Sequence, residues 1–254
     1  MHILVTNDDG VQAPGLLAMA QELQTLGKVT VFAPDRNWSA SGHVKTMDRP
    51  LRAREVTLAD GTTALATDGA PSDSVALALL GVVKEKIDLV VSGINPHENI
   101  GHDVTYSGTV TAAMEAVIGG VPGIAISLNS PEEFHGVLDY EPAASVARRV
   151  AEKVMAEGLP EGVLLNVNVP YLKEDELKGF MITRQGLRVY RDELDARKDP
   201  RGKPYYWIGG EFPIGILEEG TDYGAIKAGY VSITPLQLDL TARAAMDVLK
   251  KWEW

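Results

Sequence analysis

The chain has 254 residues, with 24 Lys and Arg against 35 Asp and Glu, for a formal net charge of -11. That length suits one large domain, or one domain with an elaboration, and 45% hydrophobic with 23% charged residues is an ordinary globular balance. The acidic excess argues against nucleic acid as a partner, because a phosphate backbone is held by clustered Lys and Arg, and the absence of cysteine excludes disulfides, thiolate metal sites and a Cys nucleophile.

The opening "MHILVTNDDG" has no basic segment followed by an apolar signal core. No apolar run approaches the roughly 20 residues that span a bilayer. A cytoplasmic protein with no membrane partner is expected. "HILVT" is a continuous apolar run of strand length, as in a strand buried on both faces. "PGLLAMAQELQTLG" has helical spacing, with Pro14 near its start and Gly27 at its end. "KVTVFAP" and "TTALAT" read as strands, and "DGAPSDSVALALLGV" as a turn and a helix. "IDLVVSG" is the clearest strand. A loop rich in Gly and Asn follows it, then the helix "SGTVTAAMEAVIGG" and the strand "PGIAISL". This alternation of strand and helix predicts an α/β fold, a mostly parallel Rossmann-like sheet covered on both faces.

Beyond about residue 130 the alternation loosens. "YEPAASVARRVAEKVMAEG" is an amphipathic helix and "VLLNVNVP" a strand. From about 171 to 225 the chain is rich in Gly, Pro, Tyr and Trp, as in "KPYYWIGGEFP", and reads as short strands and turns that extend from the sheet rather than join it. "GYVSITPL" is a returning strand and "TARAAMDVLKKW" a final helix. The expected division is a catalytic α/β core over 1–170 and a β-rich extension over 171–254.

Ligands of open parallel sheets bind beyond the carboxyl ends of the strands. Three loops follow predicted strands: "NDDG", "APDRNWSASGH" and "SGINPHENIGHDVTYSGT". Asp8 and Asp9 stand side by side in the first. Asp-Gly is a common turn pair, so a capping or turn role is one reading. The other is a hard-cation site, in which a divalent ion offsets two carboxylates whose unpaired burial is costly. Ser39 and Ser41 from the second loop and Asn95 from the third are candidate neutral oxygen ligands, suited to Mg²⁺ or Mn²⁺ rather than to zinc. Ser107, Gly108 and Thr109 lie where a helix begins. They form either a plain cap or an anion cradle of free N–H groups. The Walker pattern is absent. Of the five histidines, His43 and His102 sit in these loops, where either could contact substrate or protonate a leaving group. His2, His97 and His135 are assigned no role.

Five separated blocks, in order, carry a family resemblance: "ILVTNDDG", "APDRNWSASGHVKT", "DGAPSDSVALAL", "SGINPHENIGHDVTYSGTVTAAMEA" and "TDYGAIKAGYVSITPL". Over nearly its whole length the chain resembles the SurE family of stationary-phase survival proteins, metal-dependent nucleoside monophosphate phosphatases. The resemblance implies one divalent ion, Mg²⁺ or Mn²⁺, held by Asp8, Asp9, Ser39 and Asn95. It implies phosphate contacts from Asn99, Ser107, Gly108 and Thr109. It also implies a nucleotide substrate, possible 3'-nucleotide or polyphosphate cleavage, and a carboxyl-terminal extension exchanged between subunits of a homodimer or homotetramer. Water activated by the ion would be the nucleophile, with no side chain named as general acid. Two departures stand out. His97 occupies a position where the family usually has Gly, and "GAPSDS" replaces the usual "GTPADC" through Ala70, Ser72 and Ser74. An aspartyl-phosphate phosphatase would need Asp-x-Asp, and here the acids are adjacent. A Mg-binding phospho-receiver module is the alternative from another class, but it needs a third Asp where this chain has Asn95.

Overall fold

The computed structural model describes residues 1–131 and 134–253. Strand β1 (His2–Thr6) is buried at all five positions, because helices cover both of its faces. Ile3 and Val5 point to one side, with Leu16, Met19 and Leu23 of α1 (Pro14–Leu23) and Val146, Val150 and Val154 of α4 (Glu141–Glu157). Leu4 points to the other side, with Val75 of α2 (Pro71–Leu77) and Ala112 and Ala116 of α3 (Gly108–Ile118). A strand with two covered faces has no polar positions to alternate with, hence the unbroken apolar run.

The remaining strands of the sheet are β2 (Lys28–Pro34), β3 (Ala53–Thr57), β4 (Thr63–Thr67), β5 (Leu89–Asn95), β6 (Gly123–Asn129), β7 (Val163–Pro170), β8 (Phe180–Ile182) and, after a separate hairpin, β11 (Val231–Gln237). Among the described residues they form one nine-stranded sheet in the order β3-β4-β2-β1-β5-β6-β7-β11-β8. The run from β4 to β7 is parallel, as expected, while β3 pairs antiparallel with β4 and β11 antiparallel with β7. Strand β3 was not anticipated. It is an edge strand whose residues are mostly exposed, so it carries no apolar run.

The stretch from 171 to 225 differs from the expectation in two ways. Part of it joins the sheet, since β8 pairs in parallel with β11 at the far edge. The rest is not made of short strands. Strands β9 (Arg188–Lys198) and β10 (Pro204–Gly215) are 11 and 12 residues long and form their own antiparallel hairpin. Apolar residues face across it, with Ile208 opposite Leu194 and Tyr206 opposite Ala196, and such cross-strand pairs sustain a long ribbon. Asp199 closes the turn, accepting the Arg201 and Lys203 N–H groups at Oδ1. Helix α5 (Asp222–Lys227) leads into β11, and α6 (Arg243–Leu249) ends the chain on the surface. No helix among the described residues is long and apolar enough to cross a membrane.

Candidate active site

Strands β2, β1 and β5 are adjacent and parallel, with Val5 opposite Val31 and Thr6 opposite Ser92. The three loops singled out in the sequence therefore leave the sheet at one edge. In the first loop the Asn7 amide closes the turn on itself. Its Nδ2 donates to the Gly10 carbonyl at 3.1 Å and its Oδ1 accepts the Gly10 N–H at 3.2 Å. Gly10 sits at φ +105°, a conformation that suits glycine. This turn holds Asp8 buried, at 3% exposure, with Asp9 half-buried beside it.

Asp8 meets the start of α3. The Thr109 hydroxyl donates to Asp8 Oδ1 at 2.6 Å, and the N–H groups of Gly108 and Thr109 also favour its ionised form. A Cβ added to Gly108 would stand 2.7 Å from the Asp8 Cβ, so the close approach of helix and carboxylate depends on that glycine. The Asp8 carbonyl accepts the Trp38 N–H at 2.7 Å, which ties the second loop to the first. Even so, burial pushes the Asp8 carboxyl above the ordinary carboxylate range. Burial and the Asp8 charge push Asp9 up to about 7.

These shifts follow from what is missing around the pair. Among the described residues no Lys, Arg or His forms an ion pair with Asp8 or Asp9. Nor do three or more His, Cys, Asp or Glu gather there to hold a metal. A cation at this edge would therefore use two carboxylates and neutral oxygens, a donor set for a hard ion. The candidates differ in setting. Ser39 is exposed, with its N–H given to Asn37 Oδ1 at 2.7 Å. Ser41 Oγ is buried with no partner among the described residues. Asn95 commits Nδ2 to the His97 carbonyl at 2.6 Å, which leaves its oxygen for a cation. A cleft of about 430 Å³ lined by Asp9, Gly10, Arg36, Pro96 and Tyr140 opens beside them. The residues present fit a hard divalent ion.

Asn99 is fixed from several sides. Its N–H donates to Asn168 Oδ1 at 2.8 Å and its Nδ2 to Ser127 Oγ at 2.8 Å. Its carbonyl accepts Asn166 Nδ2 at 2.7 Å and Asn168 Nδ2 at 3.1 Å. Ser107 is the N-cap of α3, its Oγ accepting the Val110 N–H at 3.1 Å and keeping its own proton to donate. The helix start is thus a cap, and its Gly108 and Thr109 N–H groups serve the Asp8 carboxylate.

His97 is exposed. Among the described residues Ala40 is the one non-glycine with positive φ, so His97 sits in ordinary backbone and its loop does not require glycine there. Ala70, Ser72 and Ser74 are buried around the start of α2, where small residues fit. His43 is engaged with Glu115. Its Nε2 lies 2.9 Å from Glu115 Oε2, and Lys45 Nζ donates to Glu115 Oε1 at 3.1 Å. Burial raises the Glu115 carboxyl, but these hydrogen bonds outweigh it and hold the group below its ordinary value. Glu115 thereby pins the second loop to α3. His102 is exposed.

Sequence reasoning missed Glu115 and the supports of the third loop. Arg188 Nη1 reaches Glu98 Oε1 at 2.9 Å and Asp103 Oδ2 at 3.1 Å, with its side chain only 10% exposed. Tyr190 donates to Asp103, which burial pushes above the carboxylate range. Asp222 accepts the N–H groups of Gly101 at 2.9 Å and of Gly186 and Tyr223 at 2.8 Å. One signal was available. In "VLLNVNVP" the two asparagines are two residues apart, so they share one face of a buried apolar strand, where polar side chains need partners.

A family model described as "Survival protein SurE" matches residues 3–192. A curated protein from Chloroflexus aggregans, "5'-nucleotidase SurE", is 52% identical over 254 residues, covering all of both chains. One of the same name from Herpetosiphon aurantiacus is 54% identical over 241 residues, 95% of this chain and 94% of that one. The crystal structure of the SurE protein from Aquifex aeolicus superposes with a TM-score of 0.82 at 44% identity, covering 98% of each chain.

Proposed function

The chain belongs to the SurE family, and from that premise we propose that it is a metal-dependent phosphomonoesterase that hydrolyses nucleoside 5'-monophosphates to nucleoside and phosphate. One observation carries the reading: two adjacent carboxylates, at least one deeply buried, with no cationic side chain among the described residues paired to them, facing the start of α3. Asp8, Asp9, Ser39 and Asn95 would hold one divalent ion, Mg²⁺ or Mn²⁺. The ion, when bound, supplies positive charge against the phosphoryl group and lowers the pKa of water.

The chain's own groups do the positioning. The Thr109 hydroxyl orients Asp8. Ser107 offers its hydroxyl proton to a phosphoryl oxygen, and the start of α3, whose Gly108 and Thr109 N–H groups turn toward Asp8, adds the positive end of its dipole. Asn99, with its backbone locked by Asn166 and Asn168, presents its side-chain amide to the same group. Donors fixed before substrate arrives stabilise the charge that develops on the equatorial oxygens.

The same reading extends to activity on 3'-nucleotides or polyphosphate and to a cytoplasmic location. It takes 1–170 as the catalytic unit and 171–254 as an extension whose hairpin joins subunits in a homodimer or homotetramer. A phospho-receiver role is not favoured, since the strand end that would need a third Asp carries Asn95. The test is phosphate release from AMP and GMP with Mn²⁺ or Mg²⁺, with and without chelator. Turnover that is abolished by chelator and restored by added metal is expected. Turnover indifferent to chelator, or none with any metal, would overturn the reading.

A further inference from the structure

The two carboxylates are not held alike. Asp8 has an orienting donor of its own, the Thr109 hydroxyl at 2.6 Å. Asp9, one residue on, lines the cleft of about 430 Å³ between the three loops and the start of α4, and among the described residues nothing donates a hydrogen bond to its carboxylate. A carboxylate that ligates a metal is ordinarily fixed by a hydrogen bond from the surrounding shell, and loss of such a partner costs about 10–100-fold in affinity or activity. Three side chains bring donors to the cleft: Gln12, Arg36 and Tyr140. Gln12 Nε2 is committed to the Thr57 carbonyl at 3.0 Å. Arg36 lies 3.4 Å from Asp35 Oδ1 and 4.8 Å from the centre of the Trp38 ring. The Tyr140 hydroxyl has no partner among the described residues, whereas that of neighbouring Tyr171 accepts the Asp139 N–H at 3.2 Å.

We propose that Tyr140 is a positioning residue whose hydroxyl orients Asp9 for cation binding, an inference that rests on the reading of Asp9 as a metal ligand given above. The ring is fixed before any ligand arrives. Tyr140 is the N-cap of α4, its carbonyl accepting the Ala144 N–H at 2.9 Å. Its ring packs on the core and against α1, where a Cβ on Gly15 would stand 2.9 Å from the ring carbon Cε1 and 2.5 Å from the Ile94 carbonyl oxygen. Gly15 thus lets α1, the end of β5 and the Tyr140 ring meet. Burial and the charge of Asp9 push the phenol up to about 12, so it stays a neutral donor that faces an acceptor. It donates to Asp9 directly or through one water in the cleft. Each acid then has an orienting hydroxyl from a different helix layer, Thr109 of α3 for Asp8 and Tyr140 of α4 for Asp9.

Two variants test this. Tyr140→Phe removes the hydroxyl and keeps the ring on Gly15. Tyr171→Phe is the control, removing a neighbouring hydroxyl that does not line the cleft. Mn²⁺ binding to metal-stripped protein is followed by calorimetry, beside melting curves without metal. Tyr140→Phe should weaken Mn²⁺ binding about tenfold, the lower scale for such a partner, with the melting temperature of the metal-free protein unchanged. In phosphate release from AMP, the Mn²⁺ concentration for half-maximal rate should rise by the same factor, while kcat at saturating metal is largely kept. Tyr171→Phe should bind Mn²⁺ as the wild type does. Wild-type affinity in Tyr140→Phe, or an equal loss in Tyr171→Phe, would overturn the proposal. A wild type that binds Mn²⁺ but releases no phosphate would instead overturn the phosphomonoesterase reading and leave the binding comparison intact, and a wild type that binds no Mn²⁺ would overturn both.

Discussion

The rim around Asp8 and the hairpin of β9 and β10 treat polarity in opposite ways. At the rim, polar groups are buried: Asn7, Asp8, Thr109, Asn166 and Asn168 are all 3% exposed or less. On the hairpin, apolar groups are exposed: Leu194 by 70%, Trp207 by 63% and Ile208 by 83%. Each pattern runs against ordinary burial, and each states a need. Buried polar groups require partners, which the Asn99 network has; Asp8 has hydrogen-bond donors, but among the described residues the carboxylate pair has no cationic partner. Exposed apolar surface of this extent requires cover. On the reading proposed above, the rim would hold a small charged ligand and the hairpin would meet another subunit.

The sharpest way to break the rim is Asp8→Asn. The change keeps the shape of the side chain and an acceptor for Thr109, but removes the buried charge. Activity should fall by at least about a thousandfold, the scale of losing a group that organises transition-state charge. Thermal stability without metal should hold or rise, because a buried charge with no cationic partner is lost. Phosphate release and a melting curve check the two together. Retained metal-dependent turnover would remove Asp8 from the ligand set.

The rim and the hairpin meet at Asp222, and Asp222→Ala tests that joint. The substitution leaves the N–H groups of Gly101, Gly186 and Tyr223 without their shared acceptor. An expected cost of about 2–4 kcal/mol follows from unsatisfied buried donors, read by urea denaturation. Activity should fall as well, since Gly101 anchors the loop that carries Asn99. A variant with wild-type stability would show that the hairpin root and the third loop are independent.

The sequence made the parallel core legible because β1, β2, β5, β6 and β7 are buried runs whose length and periodicity leave little choice. It placed Asp8, Asp9, Asn95 and the start of α3 at one edge because strand ends and a helix start are local signals. The supporting shell was harder to read. Glu115 meets His43 and Lys45 across 72 and 70 positions of chain, and Arg188 meets Glu98 across 90. Nothing local marks a pairing at that range. The hairpin was misread for a related reason. Its strands are exposed on both faces for much of their length, so the alternation that marks a half-buried strand is missing.

The carboxylate pair also sets how stability depends on pH. In metal-free protein the folded-state pKa of Asp9 is raised from 3.8 to about 7. The fold therefore favours the protonated acid. That contribution is fully present below about pH 4 and is lost as the pH rises through about 7. Chelated protein should lose melting temperature across this window. Mg²⁺ or Mn²⁺ should restore it increasingly toward neutral pH, as the ion and protons compete for the same oxygens. Asp9→Asn should flatten the decline. An equal slope in the variant and the wild type would assign the effect to other groups.

The smallest effect on the single chain is expected from the hairpin itself. Trp207→Ser and Ile208→Ser together remove exposed apolar surface, with Ile208 opposite Leu194 and Trp207 opposite Asp195 in the ribbon. Within one subunit the main loss is the cross-strand pair of Ile208 with Leu194, so unfolding free energy measured on the monomer should fall by no more than about 1 kcal/mol, the upper scale of such a pair. Association should respond far more, because large apolar and aromatic residues are where interface energy concentrates. Sedimentation at several protein concentrations should show the double variant shifted toward monomer. Activity per chain should follow oligomeric state only if a neighbour's hairpin completes the rim. A dissociated variant with full turnover would confine the active site to one chain, and the two regions compared above would then be separate in function as well as in composition.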